Sequence, residues 1–301
     1  MHHHPRHRRR SLALCAAAAL AIAACGSDDN PAADATDSET STVERVVSLS
    51  ATHTEIMFAI GAGDLLVAVD EFSDHPAEAL ELPRELSGYE PNIEAIAGYE
   101  PDLVLIGGDF TGLGEQLETV GITSWDGPAA QTLDDVYAQI ADLGAITGRV
   151  DGAAELVASM RAAVDEIVAD APRPDEPLTY YHELGPDFYS ADSTTFVGQL
   201  YGLLGLTNIA DEAGAQAGGW PQLNAEYIVS ADPDLVFLAD TVCCGENVDS
   251  VAARPGWAAM SAVVNGNVVE LDDDIASRWG PRVVDLLEVI AAAVATAAVP
   301  A

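Results

Sequence analysis

Apolar positions along this chain follow two rhythms. Short, mostly apolar runs at 45–49, 65–69, 103–106 and 122–125 are bounded by turn residues and show no strict in-out alternation. Such runs read as strands buried on both faces of a parallel sheet. Between them, residues 52–60, 93–99, 113–120 and 133–147 carry apolar side chains three and four apart, the period of a helix with one buried stripe. Gly61-Ala62-Gly63 stops the first of these helices. Residues 151–171 are the longest helical stretch, with Leu156, Val157, Met160, Val164, Ile167 and Val168 on one stripe and Pro172, Pro174 and Pro177 beyond its end. The alternation then restarts, with strands at 178–184, 235–238 and 267–271 and helices at 195–204, 225–230 and 281–298. The pattern predicts an α/β fold: two parallel-sheet α/β lobes joined by a single long backbone helix, with a ligand cleft between the lobes.

An internal repeat supports two lobes. Asn92-Ile93-Glu94-Ala95-Ile96 opens a segment that closes on Pro101-Asp102-Leu103-Val104, and Asn224-Ala225-Glu226-Tyr227-Ile228 opens one that closes on Pro233-Asp234-Leu235-Val236. Seven of thirteen positions match in register, which favours duplication over the shared demands of a turn. The expected boundaries are an N-terminal lobe at 44–148, a connecting helix at 149–172 and a C-terminal lobe at 173–301.

Residues 1–24 carry four arginines and no acid, and end in an apolar run from 11 to 24. That run is shorter than the ~20 residues a membrane span needs, so it reads as a secretory signal. Ile22-Ala23-Ala24-Cys25 resembles the lipobox of bacterial lipoproteins, which would place lipid on Cys25; the alternative is an ordinary signal with an incidental Cys. Residues 25–43 lack apolar periodicity and read as a flexible tether. The expected location is extracytoplasmic, lipid-anchored to the cell membrane. A formal charge of -37 with no lysine excludes nucleic acid as a partner. Cys243 and Cys244 remain as neighbours in an oxidising compartment. They could be a strained disulfide, a thiol metal ligand or two plain thiols, and the reading leans to the disulfide.

Ligands of open α/β sheets sit beyond the carboxyl ends of the strands. The loops there carry Phe72, Tyr89, Phe188, Tyr189 and Trp220, rings that offer contact area at little rotamer cost. Trp220 stands out, between Gly218-Gly219 and Pro221 in a polar loop. Asp274 and Arg278, four apart after the last strand, either form a local ion pair or present an acceptor and a planar donor fork to a ligand. His53, His75 and His182 lie near strand ends but share no metal-ligand spacing, so no metal site is expected. There is no nucleophile elbow, phosphate loop or His-Glu-X-X-His, and His182 and Glu183 would face opposite sides of their strand. Catalysis is not expected.

Taken in order, Ser50-X-X-X-Thr54-Glu55, Phe72-Ser73-Asp74-His75-Pro76, the two Asn repeats, Trp220-Pro221-Gln222 and Arg278-X-X-Pro281-Arg282 resemble the helical-backbone (class III) ABC transporter solute-binding proteins. The likeness covers residues 43–298 and is nearest to the cobalamin binders, with ferric-siderophore and haem binders as relatives. It implies a monomeric protein without a resident cofactor that captures a bulky metal chelate, such as a corrinoid or a ferric siderophore, for an ABC permease and its ATPase. Carried over by position, it implies Phe72, Tyr89, Phe188, Trp220, Asp274 and Arg278 as the ligand-binding set. It also implies Glu94 and Glu226 as permease-docking carboxylates, one per lobe; from the residues alone they are helix-start carboxylates favoured by the helix dipole. Tyr89 and Gly107 depart from the corrinoid binders, which resemble this chain but carry Trp at both. The different-class alternatives are a sensory or adhesive lipoprotein and an uncharacterised hydrolase.

Overall fold

A computed structural model describes residues 43–214 and 217–298. The signal segment, Cys25 and the tether up to residue 42 lie outside the described residues. The first lobe holds strands β1 (Val46–Leu49), β2 (Leu66–Val69), β3 (Leu103–Ile106) and β4 (Thr123–Asp126), in the order β2-β1-β3-β4. The second holds β5 (Thr179–Glu183), β6 (Thr207–Asn208), β7 (Leu235–Leu238) and β8 (Val268–Glu270), in the order β6-β5-β7-β8. Every strand pair is parallel. The central strands β1, β3 and β7 are buried at every residue and the edge strand β4 is not, as a sheet covered on both faces requires. Among the described strands, two-residue β6 is the one the apolar pattern does not show, being too short for a period, and the short helices between 211 and 277 other than Ala225–Ala231 are likewise too short to show one.

Helices α1 (Ala51–Ala59), α2 (Ile93–Ala97), α3 (Leu113–Thr119) and α4 (Leu133–Thr147) belong to the first lobe. The 21-residue α5 (Val150–Asp170) follows, about 30 Å long at 1.5 Å per residue. The second lobe adds α6 (Phe196–Leu203), α7 (Asp211–Gly214), α8 (Ala225–Ala231), α9 (Thr241–Cys244), α10 (Val248–Ala253), α11 (Ser261–Val264), α12 (Asp273–Ser277) and α13 (Val283–Ala297). Local chemistry sets several ends. Thr132 and Asp135 close a capping box on α4, and Gly148, at φ 71°, ends it in the left-handed conformation. Gly152 lets α5 approach α1 so closely that a Cβ would collide with the Ile60 carbonyl oxygen.

The sequence repeat is a structural repeat. Asn92 and Asn224 cap α2 and α8 by accepting from the N–H groups of Ala95 and Tyr227. Glu100 and Asp232, each just before the repeat's proline, are non-glycine residues at φ 48° and 46°. The repeat aspartates then tie neighbouring strands together. Asp102 accepts from the N–H groups of Glu44 and Arg45 ahead of β1, and Asp234 accepts from the N–H and hydroxyl of Thr179 in β5.

Each central strand feeds two cores. The outer faces are separate: Val47, Leu49, Val104 and Ile106 pack with α2 and α3, whereas Val236 and Leu238 pack with Trp257 and Met260. The inner faces merge. Val46, Leu103 and Leu105 of the first sheet and Tyr180, Leu235 and Phe237 of the second belong to one apolar cluster with residues of α4, α5, α6 and α13. The lobes are therefore joined by a continuous core as well as by α5.

Charge is distributed with similar economy. The described residues contain eight arginines and no lysine, and each arginine is engaged within the chain. Arg45, Arg84 and Arg173 donate to backbone carbonyls, and Arg149 and Arg161 pair with Asp64 and Asp134. Arg254 holds Glu183 and Glu246. Arg278 and Arg282 both reach Glu55 of α1, which is 3% exposed. Segment 278–282 of the C-terminal lobe is thus bonded into the first lobe across more than two hundred residues of chain.

Arg282 donates to both Glu55 oxygens, at 3.0 and 2.6 Å. Arg282→Ala should leave that buried carboxylate under-compensated and cost ~3 kcal/mol, the lower end for breaking a buried pair. A drop in the urea midpoint at unchanged slope checks it.

Candidate functional site

Two neighbouring cavities open at the carboxyl ends of the strands and share Ser277, Arg278 and Trp279 as a common floor. One, of about 260 Å³, is walled by the first lobe and includes Ser50, Asp70, Phe72, Tyr89, Gly107 and Phe110. The other, of about 370 Å³, includes Gln131, Thr195, Phe196, Gly218 and Trp220. Together they form one cleft between the lobes, with volumes near the lower end of the ~300–1,000 Å³ typical of small-molecule sites.

Aromatic rings dominate its rim. Phe72 is 48% exposed, Tyr89 78%, Phe110 92% and Trp220 50%, so their faces are free for a ligand rather than committed to the core. Phe72 and Tyr89 meet edge to face at 5.6 Å, which fixes the angle between them. Phe110 was not singled out from the sequence. Its signal was there: it lies in Gly107-Gly108-Asp109-Phe110, immediately after β3. Gly107 has little room for a larger residue, since a Cβ there would come within 2.9 Å of the Ser50 hydroxyl.

Phe188 departs from the expected ligand set. It stacks on Trp257 at 5.8 Å, with the Arg254 guanidinium 5.5 Å from its ring centre, and lines neither cavity. Its positive φ of 63° turns the ring onto the second lobe's outer core.

Arg278 lines both cavities but is not an open donor fork. Its side chain is 9% exposed, donates to Glu55 at 2.9 Å, Asp74 at 3.0 Å and the Phe72 carbonyl at 2.9 Å, and is ion-paired with Asp274 at 2.6 Å. The local ion pair with Asp274 is thus realised as one arm of a larger clasp. Burial raises the Asp274 pKa, the nearby Asp74 carboxylate adds to this, and Arg278 opposes it. Burial acts the same way on Asp74, but hydrogen bonding and charge from Arg278 outweigh it and hold that group low. Trp279 completes the floor, its indole N–H donating to Gln139 Oε1 at 3.1 Å.

Glu94 and Glu226 occupy matching positions in the first turns of α2 and α8, and both are exposed. Cys243 and Cys244 are free, exposed thiols, so the disulfide expected from their adjacency is absent. They lie in the helical turn α9, whose peptide geometry does not suit a ring between neighbours. Asp273 holds that turn by accepting from the N–H groups of Val242 and Cys243, and the Cys243 thiol is pushed up to about 12 by its bonds to Cys244 and, after burial, to Asp273.

Among the described residues, His53 and His182 are buried apart from each other, each within its own packing. His53 is buried against Trp125 and Gln139, and His182 is buried against Tyr201, with burial lowering both to about 4. Glu183 is turned to Arg254, not to His182. Asp240, at the end of β7, is fully buried, and neither oxygen has a partner among the described residues. Burial and then the carboxylates of Glu183 and Glu246 raise it to about 7.

The description "periplasmic binding protein" names the family whose pattern matches residues 46–275. The chain belongs to that family. The binding protein is 29% identical over 256 residues to the uncharacterized ABC transporter substrate-binding lipoprotein YvrC of Bacillus subtilis, covering 82% of this chain and 79% of the relative. It is 33% identical over 255 residues to a cobalamin-binding protein of Halobacterium salinarum, covering 80% of this chain and 67% of that one. Among solved structures, the periplasmic heme-binding protein RhuT from Roseiflexus sp. RS-1, in apo form, superposes with a TM-score of 0.73 at 26% identity, over 85% of this chain and all of that one. The two-lobe parallel-sheet architecture is shared with such neighbours.

Because Asp240 binds its proton more tightly folded than unfolded, its contribution to stability is present below the ordinary Asp range and is lost as pH rises from about 4 to about 7. Asp240→Asn should therefore raise the melting temperature at pH 8, by a few degrees, much more than at pH 4.5. Thermal melts across that range check the sign.

Proposed function

We propose that this binding protein is the extracytoplasmic, lipid-anchored receptor of an ABC importer, and that its ligand is a corrinoid. The observation that carries the reading is the cleft. Four exposed aromatic side chains from both lobes surround a shared floor, which suits a wide, flat, partly apolar chelate better than a small polar solute. The cobalamin-binding name of the Halobacterium relative agrees with it. Anchoring would be through lipid on Cys25, followed by the tether; the lipobox-like Ile22-Ala23-Ala24 and the lipoprotein name of YvrC support this.

Delivery would use Glu94 and Glu226. Their identical register places one carboxylate on each lobe, so that arginines of a permease could engage both. The core that joins the inner faces favours modest relative movement of the lobes on loading. No chemical step on the ligand is assigned to this chain.

Titration of the purified protein with cyanocobalamin, followed by Trp fluorescence and calorimetry, tests the ligand. Saturable one-to-one binding at micromolar strength or tighter, about -8 kcal/mol, is expected. Trp220→Ala should weaken it about tenfold, the loss of one well-placed aromatic contact. Saturable binding of haemin with none of cyanocobalamin would move the ligand to haem. In cells, the double variant Glu94→Ala, Glu226→Ala should lose uptake while the purified variant keeps the unaltered dissociation constant.

A further inference from the structure

The cleft contains a carboxylate outside the expected ligand set. Asp70 directly follows β2 and lines the first-lobe cavity with Phe72, Tyr89 and Phe110, yet it is only 4% exposed. A buried polar chain holds it: Thr54 can donate to Ser73 at 2.8 Å, and Ser73 donates to Asp70 Oδ1 at 2.5 Å. The second oxygen, Oδ2, makes no hydrogen bond with a described residue. It lies 3.3 Å from where a Cβ on Gly88 would stand, so the missing side chain at Gly88 leaves room beside it. One oxygen is anchored and the other is available, which is how a rigid acceptor for a ligand N–H is built.

The charge around it is one-sided. Asp70 and Arg278 are the charged residues lining the first-lobe cavity, and Arg278 is already engaged by Glu55, Asp74 and Asp274, with Arg282 on Glu55 as well. A ligand anion could recruit Arg278 only by taking it from these carboxylates, leaving buried charge uncompensated. An N–H donor meets no such penalty.

We infer that Asp70 is a specificity-determining residue that accepts a hydrogen bond from an amide or ammonium group of the ligand, and that the cleft takes neutral or cationic chelates and rejects anionic ones. The inference deepens the proposed function and rests on its cleft, but not on the ligand being a corrinoid. Peripheral primary amides of a corrinoid fit this chemistry; propionates and catecholates do not.

Two charge-contrasted pairs test it by calorimetry on the purified protein. The first is cyanocobalamin against its monocarboxylate, in which one peripheral amide is hydrolysed. The second is a cationic ferric trihydroxamate with a pendant ammonium against an anionic ferric tricatecholate. The amide or cationic member should bind at least tenfold more tightly than its anionic counterpart. Asp70→Asn should narrow that ratio at least tenfold, with a melting temperature near that of the unaltered protein showing that the fold persists. If this variant fails to fold, the ratios for the unaltered protein decide alone. Tight binding of the hydroxamate with none of the corrinoid would remove the corrinoid reading and uphold the role of Asp70. An anionic member binding as well as its partner, a ratio untouched in folded Asp70→Asn, or no binding of any of the four would overturn the inference.

Discussion

Glu55 sits in α1 with almost no access to water, and its carboxylate oxygens are held by Arg278 and Arg282, which arrive from the far end of the chain. Transferring a lone carboxylate to that depth would cost several kcal/mol, so either the arginines are in place or the first lobe carries an uncompensated charge. This requirement brings segment 278–282 across to the first lobe, and Ser277, Arg278 and Trp279 with it. Those three residues are the floor of the cleft. The site is therefore a consequence of the ion cluster: without it, the first-lobe wall and the Trp220 wall would have no common base.

The apolar core has a matching logic. Strands buried on both faces must cover two surfaces. Each lobe covers its outer surface with its own helices, while the inner surfaces share α4, α5, α6 and α13. Sharing opposes wide separation of the lobes, because opening would expose a continuous apolar cluster. A cleft mounted on such a seam can hold its aromatic rims in register, which suits recognition by shape and edge chemistry rather than by engulfment.

Electrostatics then narrows what the cleft can accept. The chain is strongly acidic, and every arginine among the described residues is engaged within it. Among the described residues, arginine acts as cement for Glu55 and Glu183, and no arginine there is left over for an anionic guest. Asp70 differs from the paired carboxylates in having one oxygen tethered and one unclaimed.

Much of this was legible without coordinates. The apolar runs located the central strands, and the Asn-to-Val repeat, through turn and capping chemistry that depends on immediate neighbours, implied two equivalent lobes. Phe72, Tyr89 and Trp220 could be placed at strand ends because loop composition and strand polarity are local properties. The sequence alone could not assign Phe188, whose ring turns into the outer core through a left-handed backbone, nor distinguish an open Arg278 from one enclosed by Glu55, Asp74 and Asp274. It also favoured a Cys243–Cys244 bridge, because adjacency says nothing of the helical turn that holds those residues. Period, caps and turns are short-range and are written in consecutive residues. Which carboxylate meets which arginine, and which side chain faces the cleft, is decided by contacts between residues far apart in the chain, and these exist only once the two lobes have closed on their common core.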